Sequence, residues 1–343
     1  MVGLVADPGL ATDIAEKLAT NLPQLLTQRV SDRVVWAVSV VTEDLTIGEQ
    51  RLIDRIDQRR RTDGWDYAIC LTDLPLHSGR RPLVADVSKR HHVAVVSLPA
   101  FGGILEYEQV REMLIRLVAE LHGEEPKPIG DRWRGRLFRW VTPVRRVRPN
   151  DEDISIRLAT DGTYSRLRLL TGMVRVNRPW RLALGLSRAL AAALATAAVG
   201  SMNGIVWQVA DDHGWGRLAA DALFAVATMV AWLIFYHDLW RRSSSLLYNV
   251  ATTLTLAIGV STLWVALLVL TFTAQTFVIG DTTLAEILNH PVGLDSYLKI
   301  SLLVSSIATL GGALGSGLET HAAVRTATYG VRSRGKGSAG RRP

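Results

Sequence analysis

Four long apolar runs, at roughly 182–208, 218–237, 247–272 and 297–318, constrain this chain more than any other feature. Each is near the ~20 residues that carry a helix across a bilayer core, where backbone survives only as a helix or a closed barrel. No such run occurs in the first 180 residues. The sequence therefore predicts a soluble unit followed by an all-α four-helix transmembrane bundle.

Charge gives the expected orientation. Residues 131–188 hold fourteen Arg, no Lys and five acidic residues. The 130 residues before them hold fifteen Lys and Arg against nineteen Asp and Glu. Arg241 and Arg242 lie between the second and third runs, and Arg325, Arg332, Arg334, Lys336, Arg341 and Arg342 follow the fourth. The other two loops instead carry Asp211, Asp212, Asp281, Glu286 and Asp295. Basic residues mark the cytoplasmic side. A multi-pass protein of the bacterial cytoplasmic (inner) membrane with both termini inside is expected.

The domain layout follows: an α/β domain over 1–125, an interfacial joint over 126–181, the bundle over 182–320 and a basic tail over 321–343. In the joint, Trp133, Leu137, Trp140 and Val144 recur at helical spacing among Arg132, Arg134, Arg136 and Arg139. That pattern suits a helix in the headgroup layer, with Trp180 as a further anchor. Residues 164–176 read as a second amphipathic helix. A pI near 9.8 raises nucleic acid as a partner, but no zinc-finger, RNP or helix-turn-helix pattern accompanies the Arg cluster. The expected partners are the lipid bilayer and anionic lipids, and no nucleic acid.

The first 125 residues alternate strand and helix. Residues 2–6, 33–41, 67–71 and 92–97 read as strands and 12–28, 47–61 and 104–122 as helices, with Pro23 breaking or kinking the first. Residues 82–90 are predicted to form a short helix. The alternation implies an open, mostly parallel Rossmann-like sheet. Ligands in such sheets bind outside the carboxyl ends of the strands. Asp7, Gly9, Asp44, Asp73 and Ser97 fall at those ends, and Arg80 and Arg81 follow on the third loop, where guanidiniums would suit phosphate or carboxylate. Asp and Pro are equally ordinary turn and cap residues there.

Several chemistries lack their signatures. There is no G-x-G-x-x-G, no G-x-x-x-x-G-K-[ST], no G-x-S-x-G and no H-E-x-x-H. Cys70 is the only cysteine, so neither a disulfide framework nor a thiolate metal cluster is expected. His91 and His92 are adjacent and would point apart on a strand, so no metal site is predicted. The first residues lack a basic region followed by an apolar core, so no signal peptide is expected. In the last apolar run Gly311, Gly312 and Gly315 allow a helix to approach closely, either within the chain or in a homodimer.

Residues 3–9 (GLVADPG), 65–75 (WDYAICLTDLP), 177–181 (NRPWR), 290–293 (HPVG) and 310–319 (LGGALGSGLE) carry a resemblance over nearly the whole chain. They resemble a family of actinobacterial four-span membrane proteins with an N-terminal α/β domain. Some members are labelled methylene-tetrahydrofolate dehydrogenase, which implies NADP and folate chemistry. Residues 72–76 (TDLPL) are similar to the Q-L-P-L-P segment of the folate enzymes. Their Y-x-x-x-K pair and P-G-G-V-G-P-like loop have no counterpart here. The residues themselves leave the cofactor unknown. They favour a tethered module that senses a small ligand or docks a protein partner. An enzyme using Asp7 and Asp73 is the alternative, and a transporter a third reading.

Overall fold

The computed structural model describes residues 1–45, 49–78, 81–103, 107–125, 144–147, 153–160, 165–181, 185–240, 246–319 and 324. The chain divides into two compact units, Met1–Val176 and Asn177–Pro343.

The first unit is built on a mixed sheet. Its strands are β1 (Val2–Ala6), β2 (Val38–Thr42), β3 (Tyr67–Thr72), β4 (Leu76–Ser78), β5 (Arg81–Ser88), β6 (Val93–Ser97), β7 (Val144–Val147) and β8 (Ile156–Thr160). The order is β2-β1-β3-β6-β5-β8-β7, with β4 paired to β5. The β2-β1-β3-β6 part is parallel and the remainder antiparallel. Runs such as VGLVA and VAVVS are buried at every position because both faces are covered. Helices α1 (Leu10–Arg29) and α2 (Glu49–Thr62) link the first three strands, and α3 (Tyr107–His122) follows β6. Val5, Cys70 and Val95 sit on one rung and meet Leu52, Ile53 and Ile56 of α2. By alternation Leu4, Ile69 and Val96 point to the other face, covered by α1 and α3, which pack together. Arg29 donates two hydrogen bonds to Glu112 across that helix pair, at 2.6 and 3.0 Å.

Three expectations need correction. Helix α1 runs through Pro23 as one element to Arg29. Residues 82–90 are not helical. Leu76–Ser78 and Arg81–Ser88 form an antiparallel hairpin, and β5 then pairs with both β6 and β8. The reason lies in Asp86, which the strand register sets opposite Arg157. Arg157 donates two hydrogen bonds of 2.9 Å to that carboxylate, and both residues are buried. Finally, β7 and β8 belong to the sheet, so the first unit extends past residue 125 to Val176. Helix α4 (Ser165–Val176) buries Leu169, Met173 and Val174, not in lipid but within the unit, while Leu167 stays 58% exposed. It packs on the 3₁₀ turn Leu98–Phe101, where Gly172 lies against the Pro99 carbonyl with no room for a Cβ. Arg168 Nε and Arg175 Nη1 donate to the carbonyls of Phe101 and Gly103, at 3.1 and 2.6 Å.

The second unit is helical: α5 (Ser187–Ser201), α6 (Gly204–Asp212), α7 (Trp215–Tyr236), α8 (Leu246–Val278), α9 (Asp281–Leu288) and α10 (Leu294–Ser316). Helices α7, α8 and α10 are each long and apolar enough to cross a membrane. The first expected span is instead broken. Helices α5 and α6 meet at an 84° bend, so among the described residues a fourth span exists only if that pair counts as one. The break is encoded locally, since the Asn203 carboxamide oxygen accepts from Ile205 N at 3.0 Å and caps α6. These helices make a multi-pass membrane protein with an N-terminal α/β unit.

Helix α10 is the most enclosed of the apolar helices. Gly311 lies against Thr196 and Gly315 against Ala192, with no space for a side chain, and Gly312 faces Ala193. The glycine stripe is thus occupied by α5 of the same chain. Gln275 of α8 accepts from Ser301 Oγ at 2.8 Å and donates to Ser201 Oγ at 3.4 Å, tying α8, α10 and the break together. At the other end of α10, three successive carbonyls meet side-chain donors: Ser316 faces His237 Nε2, Gly317 faces Tyr236 Oη and Leu318 faces Arg188. Those are the orphan acceptors of a helix C-terminus, where cationic donors are favoured.

Candidate functional site

Helix α1 crosses one face from β1 to β2, and α2 returns over the other face to β3, on the far side of β1. The order β2-β1-β3 therefore reverses direction between β1 and β3. This is a topological switch point, where two loops leave the sheet in opposite directions and open a crevice. Asp7 and Asp73, at the ends of β1 and β3, both lie there and are buried.

Asp7 is the centre of the site. Its Oδ1 accepts from Leu45 N at 3.0 Å. Its Oδ2 accepts from Thr72 Oγ1 at 2.6 Å and from Asp73 N at 3.0 Å. Its own carbonyl accepts from Thr12 N and Thr12 Oγ1, at 3.2 and 2.8 Å. One residue thus joins the loops after β1, β2 and β3 to the first turn of α1. The three bonds to its side chain occupy most of the roughly four lone-pair sites of a carboxylate. Gly9 makes the approach possible with φ of 119°, a conformation that L side chains rarely adopt. An added Cβ there would stand 3.7 Å from Asp73 Oδ2, in the space between the two loops.

The remaining expected residues divide. Ser97 is buried, donates to the Leu74 carbonyl at 2.8 Å and holds the loop after β3. Asp44 is partly buried, and its Oδ1 has no hydrogen-bond partner among the described residues. Arg80 lies outside the described residues, as does the side chain of Arg81, whose backbone pairs with Ser78. Trp133, Arg136, Arg139 and Trp140 lie outside them too, whereas Trp180 is 54% exposed in the turn Pro179–Arg181. Thr12, Thr42 and Thr72 were not singled out by sequence, although Thr12 and Thr42 hydroxyls approach to 3.2 Å at the crevice. Their hydroxyls offer no spacing motif that could have revealed them.

The loops after β1, β2 and β3 carry Asp7, Glu43, Asp44 and Asp73 and neither Lys nor Arg. Glu43 is engaged by Arg55 Nε at 2.6 Å. An edge of this kind suits a ligand or peptide rich in hydrogen-bond donors more than a bare pyrophosphate. Burial pushes the Cys70 thiol well up, so this residue is an inert part of the core.

A second polar group lies at the opposite edge of the sheet. His91 Nδ1 is 3.0 Å from Asp57 Oδ2, and Arg60 and Arg61 reach the same carboxylate at 2.9 and 2.8 Å. Burial alone would raise the Asp57 carboxyl, but hydrogen bonds from Arg61, His91 and Arg60 together hold it low. His92, in the turn before β6, has φ of 55° and its ring meets Tyr67 edge-on, while His91 faces Asp57. Among the described residues no three His, Cys, Asp or Glu side chains are grouped to hold a metal. Comparison of the chain with protein-family models, curated proteins and solved structures finds no match.

Proposed function

We propose that this chain is a tethering protein of the bacterial cytoplasmic membrane, whose α/β unit senses a ligand or docks a partner on the cytoplasmic side. One observation carries the reading: the buried acid at the switch point is engaged as a brace between three loops. A brace of this kind couples ligand contact at one loop to the other two. The acidic crevice edge favours a donor-rich small molecule or a basic peptide segment. The Arg-poor loops at 211–217 and 273–296, against the Arg-rich joint and tail, support termini on the cytoplasmic side. The Arg and Trp of 131–181 would then meet anionic headgroups.

The test is thermal unfolding of the full-length protein in nanodiscs against amines, nucleosides, nucleotides, dinucleotides and folates. A ligand at 100 times its Kd adds about 2.7 kcal/mol to stability. The expected hit is a donor-rich compound whose effect disappears in Asp73→Asn. A hit confined to NADP or a folate, accompanied by turnover, would favour the dehydrogenase chemistry that the sequence resemblance implies and overturn the binding-module reading.

A further inference from the structure

Helix α6 is held well short of the tips of its neighbours. The reference level is the end of the bundle where Arg188, His237 and Ser316–Leu318 meet. From there the 15 residues of α5 rise roughly 22 Å, whereas the 22 residues of α7 rise roughly 33 Å. A bilayer core is about 30 Å thick.

Side-chain links fix α6 near the lower of those heights at both of its ends. At its start, Ser201 is bound through Gln275 to Ser301, inside α10. At its finish, Lys299 Nζ donates to the Asp211 carbonyl at 3.0 Å, and His213 Nδ1 is 3.2 Å from Asp221 Oδ2. Lys299 lies five residues below the start of α10 and Asp221 six residues below the start of α7. At 1.5 Å per residue those positions are roughly 7 to 9 Å beneath the tips. The 84° bend then sets α6 nearly across the direction of α5.

At that depth α6 presents an apolar stripe away from the bundle. Ile205 and Val209, four residues apart on α6, are 71 and 40% exposed, and Met202 at the bend is 79% exposed. The opposite face buries Trp207 and Ala210. Gln208 is exposed on a flank and its Nε2 donates to the Ile287 carbonyl, while Asp212, seven residues after Ile205, ends the exposed stripe.

We propose that α6 lies in the plane of the bilayer at the boundary between acyl chains and headgroups of the distal leaflet. Met202, Ile205 and Val209 sink among the acyl chains, and the flank that carries Gln208 faces water. The bilayer is then thinned beside α5, because that helix spans less than the core. This inference rests on the membrane reading above.

The test uses the full chain in phosphatidylethanolamine–phosphatidylglycerol vesicles. Single cysteines at 205, 208 and 209 carry nitroxide labels, Cys70 being buried and inert. Leu223 and Phe224, exposed on α7, serve as lipid-facing references. Positions 205 and 209 are expected to favour dissolved oxygen over an aqueous nickel chelate as strongly as 223 and 224, with a several-fold lower ratio at 208. Nickel preference at 205 and 209 alone would overturn the proposal and place α6 in water. Oxygen preference at all three sites of α6 would overturn it by submerging the helix entirely. Nickel preference at 223 and 224 as well would instead defeat the membrane reading.

Discussion

At the residue scale, Asp7 and His290 show how single side chains fix loops in each unit. Asp7→Asn keeps the shape of the side chain but turns one acceptor into a donor facing Leu45 N or the Thr72 and Asp73 pair. Orphaning buried donors costs roughly 1–3 kcal/mol, so the first unit should unfold earlier in denaturant by about that amount. Catalysis, by contrast, would be lost with stability intact. His290 has both ring nitrogens against oxygens, Nδ1 at 2.8 Å from the Pro291 carbonyl and Nε2 at 2.7 Å from Asp211. Because the carbonyl can only accept and the carboxylate is ionised, the imidazolium satisfies both. The Pro291 carbonyl and then the Asp211 carboxylate raise its pKa above the ordinary 6.5. A raised value means the contact is fully present below the ordinary pKa and lost as pH rises through the raised one. Hydrogen exchange in α6 and α9, corrected for intrinsic rates, should therefore quicken with alkalinity, and His290→Gln should abolish that pH dependence.

At the element scale, the Arg157–Asp86 pair attaches the β7–β8 hairpin to the sheet. Removing one partner of a buried pair typically costs about 3–5 kcal/mol, while an apolar replacement of both is far milder. Arg157→Ala should lower the unfolding midpoint sharply, and the Asp86→Leu, Arg157→Met double variant should recover much of it. Gly315→Val should force α5 and α10 apart, at a cost of about 1–3 kcal/mol for overpacking, read as a lower melting temperature of the bundle. The elements that could be read from sequence were those with one clear period. The parallel strands and α1, α2 and α3 followed from apolar runs and helical spacing. Residues 81–88 were not legible, because the buried Asp86 interrupts the apolar pattern and its partner Arg157 is distant in sequence. The amphipathic stripe of α4 was visible, yet nothing local says whether such a stripe covers protein or lipid. Likewise Asp7 and Asp73 could be placed at strand ends, while the hydrogen bonds to Leu45 and Thr72 depend on how three separate loops converge. The break at Asn203 was hidden within an apolar stretch whose hydropathy is indifferent to a cap.

At the scale of the whole molecule, a mixed sheet precedes, among the described residues, three apolar helices long enough to span and one broken pair. The tethering account requires the first unit and the α7–α8 connection on one side of the membrane and the loops around 213 and 290 on the other. The most direct measurement is labelling of intact cells with a membrane-impermeant maleimide, using single cysteines at Asp13, His213, Asn289 and Ser333. Cys70 is buried and adds no background. Labelling should occur at positions 213 and 289 and be absent at 13 and 333 until the cells are opened. Labelling of position 13 in intact cells would contradict the account, because the crevice beside Asp7 would then face the outside.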